Sequence, residues 1–237
     1  MRLSAPIFKL KRRAKLLARE QAIPLHEALD RVAAADGFRS WSHLASSVPA
    51  PRPANEILAR LSSGDMLLLG ARPGHGKTLL GLEIAIEASI AGRNSFFFTL
   101  DYTESDVLQR LQALGIDPDP AAKSLVIDTS DDICADHIIR RMGDVTGGAL
   151  AVVDYLQLLD QKRTHPSLGT QIAALKSFAQ SSGSIVVAVS QIDRSFELKA
   201  NRLPGLSDVR MPNPFDLSLF NKTCFLHEGE MQLDPAA

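Results

Sequence analysis

Beyond residue 53 the apolar positions follow two alternating patterns. Short, nearly continuous apolar runs occupy 65–70, 95–100, 124–128, 149–153, 185–190 and 222–227, most clearly Ala149-Leu-Ala-Val-Val153 and Ile185-Val-Val-Ala-Val189. Runs of this length with no polar residue at alternate positions are the pattern of parallel strands buried on both faces. Between them, apolar residues recur at helical spacing over 54–61, 77–90, 104–114, 132–142 and 169–181. Strands and helices in turn predict an α/β fold with a mostly parallel sheet flanked by helices.

Residues 1–48 read as a small all-α module. A helix over 8–20 carries Leu10, Ala14, Leu17 and Ala18 on one face, and a second over 25–35, after Pro24, carries Leu25, Ala28, Leu29 and Val32. Asp36-Gly37 ends the second helix, and Ser40 is placed to cap a third over 41–45. Phe38, Trp41 and Leu44 are expected to close a small core. So short a module has little core of its own and is expected to pack on the main domain or on a partner. Pro49, Pro51 and Pro53 mark a linker over 49–55, and 56–237 forms the main domain.

Composition adds limits. The chain has 237 residues, 45% apolar and 22% charged, with a net charge of −1, as expected of a soluble globular protein. Near-neutrality neither supports nor excludes a nucleic-acid partner. The charge is uneven: Arg2, Lys9, Lys11, Arg12, Arg13, Lys15 and Arg19 precede the first acid, Glu20. This helix reads either as a contact for nucleic acid or an acidic protein, or as a solvated face. No aromatic residues interleave with its charges, so base stacking has no support there. Cys134 and Cys224 have no metal-ligand spacing and are expected to be reduced and buried. No apolar run approaches the roughly 18–20 residues of a membrane span. The basic N-terminus lacks an apolar core and cleavage site. A cytoplasmic protein without a membrane partner is expected.

The chemistry concentrates at 64–80. The strand Met66–Leu69 runs into Ala71-Arg72-Pro73-Gly74-His75-Gly76-Lys77-Thr78, followed by a helical pattern. Strand, glycine loop and helix form the context of a phosphate-binding loop whose amides point at an anion. Lys77 is placed to reach the β- and γ-phosphates of ATP, and the Thr78 hydroxyl to ligate Mg²⁺. Ala71 stands where the motif has its first Gly, a tolerable change if its φ is negative. Leu150-Ala-Val-Val-Asp154 ends in a carboxylate suited to hold Mg²⁺ from a neighbouring strand. Asp101, after Phe96–Leu100, is placed to orient or deprotonate an attacking water. Gln191, after Ile185–Ser190, reads as a γ-phosphate sensor or as a plain turn-forming residue. The segment 192–214 lacks periodicity and carries Arg194, Lys199, Arg202 and Arg210, cations suited to a phosphate backbone.

Together these segments resemble the RecA-like ATPase domain of DnaB-type replicative helicases over roughly 56–230. Gly70-Ala-Arg-Pro-Gly-His-Gly-Lys-Thr78 is similar to the family's G-A-R-P-x-x-G-K-T, and Val153-Asp-Tyr-Leu-Gln-Leu158 to its V/I-D-Y-L-Q-L. Ala188-Val-Ser-Gln-Ile-Asp-Arg-Ser195 resembles A-L-S-Q-L-N-R-S, and Leu206-Ser-Asp-Val-Arg210 resembles L-S-D-L-R. The resemblance implies nucleotide binding by 71–78, catalysis by Lys77, Asp101 and Gln191, and Mg²⁺ at Thr78 and Asp154. It implies DNA contact, on a single strand, through Arg210, with Arg194 and Arg202 in the same loop. It further implies ATP as cofactor, a role in DNA replication, and a homo-oligomer or a related ATPase subunit as partner.

Three departures shape the functional expectation. Thr99-Leu100-Asp101 stands where the family has S-L-E, and Asp holds its carboxylate about 1.5 Å further back than Glu. Such a displacement costs on the order of 10²-fold in rate. Met211-Pro-Asn213 replaces E-S-G. No Lys or Arg follows Lys222, where the family places the K-Q-R finger, leaving Arg194 or Arg202 to serve from the loop. One reading is therefore a Mg²⁺-dependent ATPase acting on DNA. The alternative is an ATP-binding switch or adaptor that turns over slowly or not at all and engages a protein or DNA through its N-terminal module. RecA-like ATPases of the recombination or clock type fit the phosphate loop but not D-Y-L-Q-L.

Overall fold

The computed structural model describes residues 7–47, 53–113, 124–143, 145, 147–160, 162, 164–199, 201–211 and 213–235. The chain divides into two compact units, Met1–Arg52 and Pro53–Ala237.

The first unit holds α1 (Ile7–Glu20), α2 (Leu25–Ala35) and α3 (Trp41–Ser47). Leu10, Ala14, Ala28, Val32, Ala33, Phe38 and Leu44 form its core, with Leu17, Ala18, Leu29 and Trp41 packed against it. Ser40 caps α3: its hydroxyl accepts from the His43 amide at 3.2 Å. Leu25 departs from expectation. It opens α2 and is 43% exposed, because the buried stripe of that helix runs through Ala28, Val32 and Ala33.

The second unit is built on a seven-stranded sheet. Its strands are β1 (Met66–Ala71), β2 (Ser95–Thr99), β3 (Leu125–Asp128), β4 (Leu150–Asp154), β5 (Ile185–Gln191), β6 (Lys222–His227) and β7 (Glu230–Pro235), in the order β3-β2-β4-β5-β1-β6-β7. All neighbouring pairs are parallel except β6 and β7. The six expected strands form within one residue of their expected ends. β7 escapes the periodicity because it is an edge strand with only Met231 and Leu233 as large apolar residues. It exists because Glu228 and Gly229, at φ 47° and 80°, turn the chain back on β6.

The unbroken apolar runs follow from packing on both faces. Leu67, Leu69, Phe97, Val152, Val187 and Val189 face one helical layer, of α4 (Pro53–Ala59), α5 (Lys77–Ile90) and α6 (Glu104–Ala113). Met66, Leu68, Phe96, Phe98, Val153 and Ala188 face the other, with α7 (Ala135–Gly143) and α8 (Leu168–Ser182). Successive residues alternate between two cores, so the middle of each strand is mostly apolar on both faces.

Three expectations are corrected. Pro53 opens α4 instead of extending the linker, since a helix's first position needs no amide hydrogen; residues 48–52 lie outside the described residues. Cys224 is buried, but Cys134 is only half-buried, just before α7. The segment after β5 is not irregular throughout. It folds back through a bridge between Ile192 and Val209, and turns of 3₁₀ helix form at Arg194–Leu198 and Leu206–Asp208. Among the described residues no helix is long and apolar enough to cross a membrane.

Candidate functional site

The C-terminal ends of the parallel strands converge on the loop between β1 and α5. Ala71 is the last residue of β1 and is not among the described residues with positive φ, so it needs no glycine. Gly76 does: it caps α5 at φ 84°, a left-handed conformation that brings Lys77 and Thr78 into the first helical turn. The first amides of a helix have no partner within it and suit an anion at its start.

β4 is not a direct neighbour of β1; β5 lies between them. For Thr78 and Asp154 to meet at one Mg²⁺, as expected, α5 must reach across β5. Gly81 allows this, since a Cβ there would stand 3.1 Å from Val152 Cγ1 and 3.3 Å from Val189 Cγ2. The Thr78 hydroxyl donates to Asp154 Oδ1 at 3.3 Å. Asp154 is 1% exposed, and its Oδ2 is buried with no hydrogen-bond partner. Burial pushes its carboxyl up to about 6, against the pull of the Thr78 hydroxyl and Lys77, while Asp101 adds to the rise. An orphaned carboxylate oxygen beside a hydroxyl is a hard-oxygen donor set, suited to Mg²⁺. Among the described residues no group of three or more His, Cys, Asp or Glu could hold a metal alone. An ion here would share its shell with phosphate oxygens and water.

Asp101 lies one residue beyond Leu100 at the end of β2, and its amide donates to Thr99 Oγ1 at 3.2 Å. It is exposed, yet desolvation still raises its carboxyl pKa and Lys77 lowers it in part. Asp101, Lys77 and Asp154 thus feel one another's charge across the loop mouth.

Gln191 ends β5 beside Ala71, and the Ile192 amide donates to the Ala71 carbonyl at 3.1 Å. Arg210 reaches it twice: its amide donates to the Gln191 carbonyl at 2.8 Å, and its guanidinium to Gln191 Oε1 at 3.1 Å. Arg72, Pro73, Gln191, Asp193, Arg194 and Arg210 line a cavity of about 440 Å³. The structure brings Arg194 and Arg210 together with the loop. It does not bring Arg202 there, because that residue pairs with Glu230 at the start of β7. Lys199 likewise pairs with the buried Asp208.

His75 is anchored from the opposite side. Its ring stacks on His227 with centroids 5.0 Å apart and a tilt of 10°, and the Glu228 amide donates to His75 Nδ1 at 3.3 Å. Burial first, and then the facing His227, hold the His75 pKa below its ordinary value. Arg72 is fixed as well, by Glu197 at 2.8 Å and by the Ile192 carbonyl at 3.0 Å.

Three residues outside the expected set shape the site. Gln157 Nε2 donates to the Arg210 carbonyl at 2.9 Å and to Ser190 Oγ at 3.3 Å, linking the β4, β5 and Arg210 segments. Asp208 accepts from the Gly205 amide at 2.9 Å and orders the turn before Arg210. Both lie inside the short motifs already singled out, which is where a signal was available. Gly81 carries no such signal.

The model of the DnaB-like helicase C terminal domain matches residues 119–213, a stretch containing Asp154, Gln191 and Arg210. The second unit has a DnaB-like ATPase fold. Replicative DNA helicase DnaB of Leifsonia xyli subsp. xyli (strain CTCB07) is 27% identical, over 81% of this chain and 49% of that protein. That of Geobacillus stearothermophilus is 27% identical, over 65% of this chain and 42% of its own. The chain thus spans half or less of the length of these curated relatives. A DnaB-like replicative helicase, solved for its interactions with primase, superposes with a TM-score of 0.57 at 18% identity, over 92% of this chain and 66% of its own. A second solved structure, of an isolated ATPase domain, gives 0.59 at 20% identity, covering 79% of this chain and 80% of that one.

Proposed function

We propose that the chain binds ATP with Mg²⁺ at 71–78 and Asp154, hydrolyses it, and acts on DNA as a DnaB-like, helicase-related ATPase. The observation that carries this reading is the pairing of Thr78 with a buried Asp154 whose second oxygen has no partner. Lys77 and the loop amides hold the β- and γ-phosphates. Mg²⁺ at Thr78 and Asp154 supplies charge neutralisation on those phosphates. Asp101 orients the attacking water and takes its proton, while the water oxygen bonds to the γ-phosphorus and ADP leaves on the β-γ bridging oxygen with the pair of the broken bond. Gln191 faces the γ-phosphate and passes its loss to Arg210 through the two hydrogen bonds between them. Arg194 and Arg210 meet the nucleic acid, and Arg202 serves that role less directly from the β7 side.

The shortened Asp101 favours a second reading, in which the chain binds ATP but turns it over slowly and serves as a switch or adaptor, alone or with a related ATPase subunit. The decisive experiment titrates Mg²⁺-ATP into the wild type and Lys77→Ala, then measures hydrolysis with and without single-stranded DNA. Equal affinity of the two chains overturns the nucleotide site. Stimulation of hydrolysis by DNA supports the ATPase reading, and tight binding without turnover supports the switch.

A further inference from the structure

The near-neutral net charge of the chain conceals a division between its two units. Residues 1–52 hold ten Lys and Arg against four Asp and Glu, a net of +6, whereas 53–237 hold sixteen against twenty-three, a net of −7. Long-range attraction for a polyanion therefore originates in the first unit. Several cations near the cavity of the second unit are engaged within it: Arg72 with Glu197, Lys199 with Asp208, Arg202 with Glu230, and Arg210 with Gln191.

Within the first unit the charge is ordered by α1. Leu10 and Ala14 are turned inward, and Leu17 and Ala18 pack against the same core. Lys11, Lys15 and Arg19 are four residues apart and fall in one row on the outer side, all exposed. The row is roughly 12 Å long at 1.5 Å per residue. α1 contains no acid before its last residue, Glu20, so none lies within the row. Arg31, by contrast, is held by Glu27 and Gln21. Phe38 and Trp41 pack into the module's core, leaving neither beside the row to stack an unpaired base. A row of cations with neither of these rings beside it suits a continuous line of phosphates better than a single strand with splayed bases.

We propose that the α1 face bearing Lys11, Lys15 and Arg19 is a sequence-independent docking surface for the phosphate backbone of duplex DNA. It extends the DNA reading above, but it does not use the nucleotide site.

The test is fluorescence anisotropy of a labelled mixed-sequence duplex with the full chain, without nucleotide, over about 0.05–0.2 M salt. In the triple variant Lys11→Gln, Lys15→Gln, Arg19→Gln, the slope of log K against log salt should shrink by about 3, and affinity near 0.1 M should fall on the order of 10²-fold. Gln has nearly the helix propensity of Lys and Arg, and circular dichroism checks that the module is intact. A control that removes three charges from the second unit, Arg60→Gln, Arg140→Gln, Lys162→Gln, should leave the slope unchanged. Lys77→Ala should bind the duplex as the wild type does, so failure of the nucleotide site and failure of this surface are separable. A triple variant with wild-type slope, or a control that loses as much, overturns the proposal. Unchanged duplex binding with loss of binding to vesicles of phosphatidylcholine and phosphatidylserine also overturns it and assigns the face to a membrane surface.

Discussion

Asp154 offers a sharp test, because its burial and its proposed role act on stability in opposite senses. Burial raises its carboxyl from 3.8 to about 6. The folded chain then holds that proton more tightly than the unfolded chain does. The sign follows: this contribution to stability is full below pH 3.8 and is lost as pH rises through about 6. A rise from 3.8 to about 6 corresponds to about 3 kcal/mol, the penalty for holding an ionised Asp154 at neutral pH. Asp154→Asn keeps the shape and an acceptor for the Thr78 hydroxyl but never ionises. Other carboxyls titrate in the same range, so the quantity to measure is the difference between the two chains. Urea unfolding of wild type and variant at about pH 4.5 and about pH 7, without nucleotide or Mg²⁺, should show the difference moving in the variant's favour by about 2 kcal/mol. The variant's amide nitrogen, unpartnered where Oδ2 was, carries a penalty of about 1–3 kcal/mol at both pH values and cancels from that change. Adding Mg²⁺-ATP at neutral pH should stabilise the wild type and leave the variant nearly unmoved. A difference that is flat with pH, or that moves toward the wild type as pH rises, refutes the reasoning.

Two further substitutions probe the geometry. Gly81→Ala places a Cβ at 3.1 Å and 3.3 Å from Val152 and Val189, so α5 should lift from the sheet; we expect about 1–3 kcal/mol lower stability by thermal unfolding and weaker Mg²⁺-ATP binding by calorimetry. Asp101→Glu restores the missing methylene and should raise kcat for ATP hydrolysis by up to about 10²-fold, whereas Asp101→Asn should lower it; equal rates in all three chains would remove Asp101 from the reaction.

Much of this architecture is written in local pattern. The continuous apolar runs mark six strands because a strand packed on both faces has no position where a polar residue is free, and the run Met66–Ala71 into Gly76-Lys77-Thr78 marks the loop. The motifs around Asp154, Gln191 and Arg210 are likewise contiguous, and the structure places Asp154 and Gln191 at the C-terminal ends of β4 and β5, with Arg210 hydrogen-bonded to Gln191. What escaped local reading depends on residues far apart in the chain. β7 forms because β6 offers it an edge, not because its own residues demand a strand. The need for Gly81 appears only once β5 separates β1 from β4 and a helix must lean across it. Four loop cations look alike in sequence, yet Arg202 and Lys199 are drawn to Glu230 and Asp208 while Arg194 and Arg210 line the cavity. Periodicity is set by the nearest turn of the backbone and is legible without a fold. Strand order, close approach and charge pairing are decided by which distant surfaces meet, and only the folded chain brings them together.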